Sequence, residues 1–169
     1  DSGNGSINEH FLSKKDCESI SIKGGNDAES FLNLLNYVID NPYDEDDIIY
    51  FVEDDYLHRD GWVDILEEGV DMIGADYYTL YENLTSKVIA TKNVHWRTTP
   101  STTNTYACKF STLKKHYDIH VKYCDLVEKW TKDHDKFTEL WNKGSNLVSC
   151  IPGYSTHVEG NMLSPIIDW

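Results

Sequence analysis

The residues best suited to chemistry are the carboxylates Glu53, Asp54 and Asp55, which follow directly on the apolar run Ile48-Ile49-Tyr50-Phe51-Val52. Such a run predicts a buried strand, and a strand buried on both faces belongs in a parallel sheet. Open α/β sheets bind ligands beyond the carboxyl ends of their strands, where this triplet would lie. Three like charges repel, and a divalent cation is a natural way to hold them together. Alternation along an extended chain puts Glu53 and Asp55 on one side and Asp54 on the other. Oxygen donors suit Mg2+ or Mn2+, which keep waters and bind phosphates as well. The plainer alternative is a solvated acidic loop.

The elements that must position these groups can be read from periodicity. The chain has 169 residues, enough for one domain with a real core, and 40% of them are hydrophobic. A short strand is expected at Ser19-Ile20-Ser21-Ile22. Apolar residues at Ala28, Phe31, Leu32, Leu35, Val38 and Ile39 then predict a helix, with Asn26 and Glu29 as a capping box and Asn41-Pro42 as its end. With the run at 48–52 this makes a βαβ crossover. Gly61 to Glu68 reads as a short helix stopped by Gly69, and Asp71 to Tyr78 as a strand. Residues 86–91 and 94–98 read as a hairpin, 99–105 as a polar surface loop or lid, and 106–110 as a strand. Ser111 starts a helix to Ile119, helical patches follow at 126–131 and 135–143, and Leu147 to Ile151 is a last strand. Trp130 and Trp141 are expected to be packing residues.

Charge and cysteine content narrow the partners. Fifteen Lys and Arg against 29 Asp and Glu give a net charge of −14. This disfavours nucleic acid polymers and anionic membranes, which reward basic clusters, but admits a phosphorylated small ligand accompanied by a metal. The four cysteines are widely spaced and form neither a small disulfide framework nor a zinc ribbon. Cys108 and Cys150 fall in apolar runs and read as space-filling residues. No apolar run has membrane-spanning length, and a cytoplasmic, reducing compartment is the simplest expectation.

The run 51–62, Phe-Val-Glu-Asp-Asp-Tyr-Leu-His-Arg-Asp-Gly-Trp, resembles the Asp-x-Asp region of nucleotide-sugar glycosyltransferases of the GT-A fold, with Glu53 in place of the usual first Asp. Asp1-Ser2-Gly3-Asn4-Gly5-Ser6 resembles the turn whose acidic residue contacts the nucleotide base. Gly24-Gly25-Asn26 is similar to the Asn/Gly-rich step that opens the next helix. Asp133-His134-Asp135-Lys136-Phe137 is similar to the helix start that carries an acceptor-activating carboxylate in inverting members. Pro152 to His157 resembles the late segment that supplies a metal-binding histidine in some members. The likeness runs through nearly the whole chain in the family's order and extends to compact virus-encoded members. The family's first strand has no counterpart here.

The resemblance implies a Rossmann-related α/β fold with a mixed sheet and a small hairpin on the acceptor side. It implies a single glycosyltransferase-like domain that moves a sugar from a nucleoside-diphosphate sugar, a UDP-sugar by preference, to a glycan or glycoconjugate hydroxyl. Glu53, Asp55 and His157 would hold Mn2+ or Mg2+. Asp1, Gly25, Asn26, Glu53 and Asp54 would bind the nucleotide, and Trp96 would floor the sugar site with an aromatic face. Asp135, with Asp133 second, would be the base. Each has a structural alternative: His157 bonding a backbone group, Trp96 in the core, Asp133 and Asp135 favouring a helix N-terminus through its dipole. Rival functions are metal-dependent hydrolysis of a phosphate ester or nucleotide sugar, and a noncatalytic glycan-binding module.

Overall fold

The computed structural model describes residues 11–22, 24–81, 88–159, 163 and 169. In chain order, a 3-10 turn at Phe11–Lys14 precedes α1 (Asp27–Asp40), β1 (Ile48–Phe51), β2 (Tyr56–His58), α2 (Trp62–Ile73), β3 (Tyr77–Thr79), β4 (Val88–Ala90) and β5 (His95–Thr98). Then come β6 (Tyr106–Lys109), α3 (Phe110–Lys122), β7 (Cys124–Asp125), β8 (Trp130–Thr131), α4 (Asp133–Asn142), β9 (Leu147–Ile151) and β10 (Ser155–His157). The chain divides into two compact units, Asp1–Pro42 with His120–Lys132, and Tyr43–Ile119 with Asp133–Trp169.

In the first unit α1 forms where its periodicity predicts, burying Ala28, Phe31, Leu35 and Val38. The Asn26 side chain accepts from Glu29 N at 3.0 Å, which satisfies one of the helix's orphan donors. Residues 19–22 form no strand, so the expected βαβ crossover is absent among the described residues. The helix expected at 126–131 is instead the turn of the β7–β8 ribbon. Asp125 Oδ1 accepts from Val127 N and Glu128 N, at 3.0 and 2.9 Å, and Lys129 takes a left-handed φ of 67°. An aspartate that bonds the backbone two and three residues ahead favours a turn over a helix. Trp130 is 57% exposed on this ribbon and Trp141, in the other unit, is 40% exposed, so neither is a packing residue.

The second unit is a mixed six-stranded sheet in the order β1-β6-β3-β9-β5-β4, covered by helices. Only the β3–β9 pair is parallel among the described pairs. β1 is therefore an end strand antiparallel to β6, not a central parallel one. Its continuous apolar run has another cause, because both of its faces are covered. Ile48 and Tyr50 pack against the cluster of Ile65, Leu66, Tyr78, Trp96, Ala107 and Val148, beneath α2. Phe51 meets Tyr106 on the opposite face, where Tyr106 and Tyr77 stand edge-on to Phe137 of α4 and Tyr77 stacks on His116 of α3.

Helix α2 runs through Gly69 and stops at Gly74, which is left-handed (φ 67°). Gly69 is in the helix because Trp96 needs its space: a Cβ there would stand 2.5 Å from the indole Cζ2. The β4–β5 hairpin forms as expected over the described residues and is tied to α2 by Asn93 N donating to Glu68 Oε1 at 2.9 Å. The segment 99–105 is no surface loop, since Thr99, Thr102, Asn104 and Thr105 are all buried. Cys108 and Cys150 are fully buried thiols in the sheet, as their apolar surroundings predict.

Gly69→Ala tests the α2 contact. Helix propensity alone would favour alanine by about 1 kcal/mol. Overpacking against the buried ring costs about 1–3 kcal/mol, so the variant is expected to lower the urea midpoint. An unchanged or raised midpoint would show that the helix and indole separate easily.

Candidate functional site

The β2–β10 ribbon of the second unit builds the site. β10 pairs antiparallel with β2, placing His157 opposite Tyr56, and Val158 N donates to Asp55 O at 2.8 Å. The two rings stack at 5.0 Å with 18° between planes. That geometry delivers His157 Nε2 to 2.5 Å from Asp55 Oδ2. Glu159, two residues on, brings Oε2 to 3.7 Å from the same nitrogen. Asp55, His157 and Glu159 each offer one ligand atom, and all three atoms lie within 4.8 Å of one another. The His157 side chain is 16% exposed, Asp55 39% and Glu159 76%, so the trio opens toward solvent from a partly buried imidazole. Two carboxylates and an imidazole form a mixed oxygen and nitrogen donor set of the kind that takes divalent first-row metals.

Glu53 belongs to the neighbouring group rather than to that trio. The chain leaves β1 and turns at residues 54 and 55, so Asp54 is exposed while Glu53 points inward. Thr105 Oγ1 donates to Glu53 Oε2 at 3.2 Å and accepts from Glu53 N at 3.1 Å. Thr103 Oγ1 bonds Tyr56 OH at 2.9 Å. Burial, then the negative charge of Asp133, then that of Asp55, push the Glu53 carboxyl up to about 7, against the pull of the Thr103 and Thr105 hydroxyls. A carboxyl ionising near neutrality in such company is a mark of functional sites.

Asp133 opens α4, and its Oδ1 accepts from the ammonium of Lys136 at 3.3 Å. Its charge acts on Glu53, which places the two carboxyls in one field, whereas Asp135 is exposed on the helix surface. The structure thus favours Asp133 over Asp135 as the carboxylate beside the acidic turn. Trp96 is fully buried in the core, so its face is closed to any sugar. Gly25 and Asn26 lie in the other unit, where Asn26 caps α1. Asp1 lies outside the described residues.

Glu159 carries no signal of its own in the sequence, since it lies two residues beyond His157, past the end of β10. Thr103, Thr105, Asn104 and Lys136 were missed for a different reason, as threonines and a lysine in a polar stretch carry no sign of burial. No protein-family model matches this chain, and no curated protein matches it either.

The Glu53 titration has a definite sign. An ordinary glutamate ionises near 4.5, whereas folded Glu53 keeps its proton up to about 7. Between those values the folded state binds more protons than the unfolded one, so this group makes stability fall as pH rises through the window and level off above it. Urea unfolding in chelator at about pH 5 and about pH 8 should show that fall in the wild type and a smaller one in Glu53→Gln. Equal falls in both proteins would place the raised carboxyl elsewhere.

Proposed function

We propose that the chain is a metal-dependent glycosyltransferase of GT-A type, moving a sugar from a nucleoside-diphosphate sugar to an acceptor hydroxyl. The observation that carries this reading is the meeting of Asp55 Oδ2 and His157 Nε2 at 2.5 Å, across 102 positions of sequence, beside the Glu53 and Asp133 carboxyls. An acidic turn after a strand, a carboxylate at a helix start and a late histidine occur here in that chain order, as in the family resembled, and in one unit of the fold.

Asp55, His157 and Glu159 would hold the cation, and the imidazole in the set favours Mn2+ over Mg2+. When bound, the cation supplies positive charge to the departing diphosphate. A chain of net charge −14 has otherwise little positive charge to offer a nucleotide, so the acidic trio depends on such a counter-ion. Asp54, which is exposed, would meet a ribose hydroxyl. Asp133, partly exposed at 21% of its side chain, takes the proton of the acceptor hydroxyl. The acceptor oxygen bonds the anomeric carbon as the bond from that carbon to the diphosphate oxygen breaks, its electron pair leaving on the diphosphate. Glu53, held by Thr105, shapes the charge between these two groups. The donor is a UDP-sugar and the acceptor a glycan or glycoconjugate, in a cytoplasmic setting.

Calorimetry with UDP and Mn2+ tests the first half. Binding should require Mn2+ and weaken by about 100-fold or more in Asp55→Ala or His157→Ala. Nucleotide binding that ignores the metal and both substitutions would overturn the reading. Product analysis with UDP-sugars and glycan acceptors tests the second. Asp133→Asn should cost about 10²–10⁴ in kcat, while Asp135→Asn should leave it near wild type. Release of free sugar at the same rate without acceptor would mark a hydrolase instead.

A further inference from the structure

Lys136 is the most unusual charged group in the second unit. Its side chain is 1% exposed although it stands on the first turn of a helix rich in polar residues. Removing an ammonium from water is costly unless it is paired and hydrogen-bonded. Here Nζ donates to Asn104 Oδ1 at 2.5 Å and to Asp133 Oδ1 at 3.3 Å. It also lies 5.4 Å from the Tyr106 ring centroid and 5.1 Å from that of Phe137. Asn104 is itself 3% exposed and is followed at once by Thr105, the residue that holds Glu53 by side chain and backbone. One short buried segment therefore fixes both carboxyls, Glu53 through Thr105 and Asp133 through Asn104 and Lys136.

We propose that Lys136 is a positioning residue for Asp133: a buried cation that sets where this carboxylate stands and keeps it ionised to receive the acceptor's proton. The inference rests on the glycosyltransferase reading above. Among the charged groups that act on Asp133 are Lys136 from its own helix and Glu53 from the end of β1, with Asp55 acting in turn on Glu53. Glu53 opposes a second negative charge beside it, and Lys136 offsets that opposition from within the core. During transfer the proton passes from the acceptor hydroxyl to Asp133, the acceptor oxygen bonds the anomeric carbon, and the diphosphate leaves with the electron pair of the broken bond. Lys136 neither gives nor takes a proton in this step. It acts by holding Asp133 within reach, and a misplacement of about 1 Å costs about 100-fold in such a step.

The test uses the whole chain in two arms. In the first, carboxyl-13C aspartate labelling follows the titration of Asp133 without substrate in wild type, Lys136→Met and Lys136→Gln. Both variants should raise the Asp133 midpoint, and an unchanged midpoint overturns the proposal. Lys136→Gln keeps a donor for Asn104 while losing the charge, so it serves if the methionine variant fails to fold. In the second arm, steady-state transfer is measured in the Mn2+-loaded protein. Lys136→Met should lower kcat by about 100-fold and leave KM for the donor within about twofold. In an Asp133→Asn background the same substitution should cost nothing further, because its effect runs through that carboxylate. A loss that is equally large in that background, or that falls on KM, shows a merely structural lysine and overturns the proposal. Wild-type protein that transfers no sugar from any nucleoside-diphosphate donor refutes the functional reading instead, and with it the catalytic half of this inference. The Asp133 titration then still decides whether Lys136 governs that carboxylate.

Discussion

The pairing of β10 with β2 is the constraint on which the site depends. Each strand has only three residues, too few to hold together alone. Supporting bonds make the ribbon possible: Tyr154 N and Ser155 N both donate to Leu80 O, Arg59 N donates to Tyr154 O, and Val158 N to Asp55 O. Arg59 also lies 4.4 Å over the Tyr154 ring. These contacts anchor the late segment to the end of β3 on one side and to the acidic turn on the other. Without them His157 would have no fixed relation to Asp55, and the sheet would end in an acidic turn with nothing to face it.

Charge management follows from that constraint. The carboxyls around the turn have different neighbours and so different tasks. Asp55 faces an imidazole, Glu53 faces hydroxyls, and Asp133 faces an ammonium. Groups placed so close would all repel if each stood in the same surroundings. Separate partners let the three stand close together: Asp55 bonds the imidazole, Glu53 is raised toward neutrality among hydroxyls, and Asp133 lies beside the Lys136 ammonium. Unlike partners of this kind let a strongly acidic chain keep several carboxyls in one neighbourhood.

Much of the local structure was legible in the sequence, whereas its assembly was less so. The α1 helix, its Asn26 cap and the β4–β5 hairpin follow from periodicity and turn chemistry, which are local. The position of β1 did not, because an end strand covered on both faces has the same apolar run as a central one. Gly69 reads as a helix stop in the sequence, since a glycine required by a ring on a distant strand looks the same as one required by backbone conformation. Trp130, expected to pack, is exposed, and Trp96 takes the core place rather than the sugar-facing one of its two expected places. An indole's fate depends on which element faces it, and that is long-range information. The approach of Asp55 to His157 was foreshadowed only by the order of motifs along the chain. The burial of Lys136 was hidden entirely, because a lysine flanked by acidic residues resembles any solvated helix face.

The hydroxyl lining around Glu53 has one more consequence. Thr105 Oγ1 touches both the backbone N–H and the carboxyl of Glu53, while Thr103 Oγ1 accepts from Thr105 N and meets Tyr56 OH. Deeper in, Thr102 Oγ1 donates to Thr79 Oγ1, which donates to Thr105 O. Hydroxyl hydrogens rotate about their C–O bonds, and each oxygen can give or receive. When the carboxyl gains or sheds its hydrogen, the Thr105 hydroxyl that faces it can turn from donor to acceptor by spinning its O–H bond, while every heavy atom stays where it is. A scaffold built from amides would have to flip whole side chains to do the same. The threonines thus give the acid a surrounding that is rigid in shape and reversible in polarity.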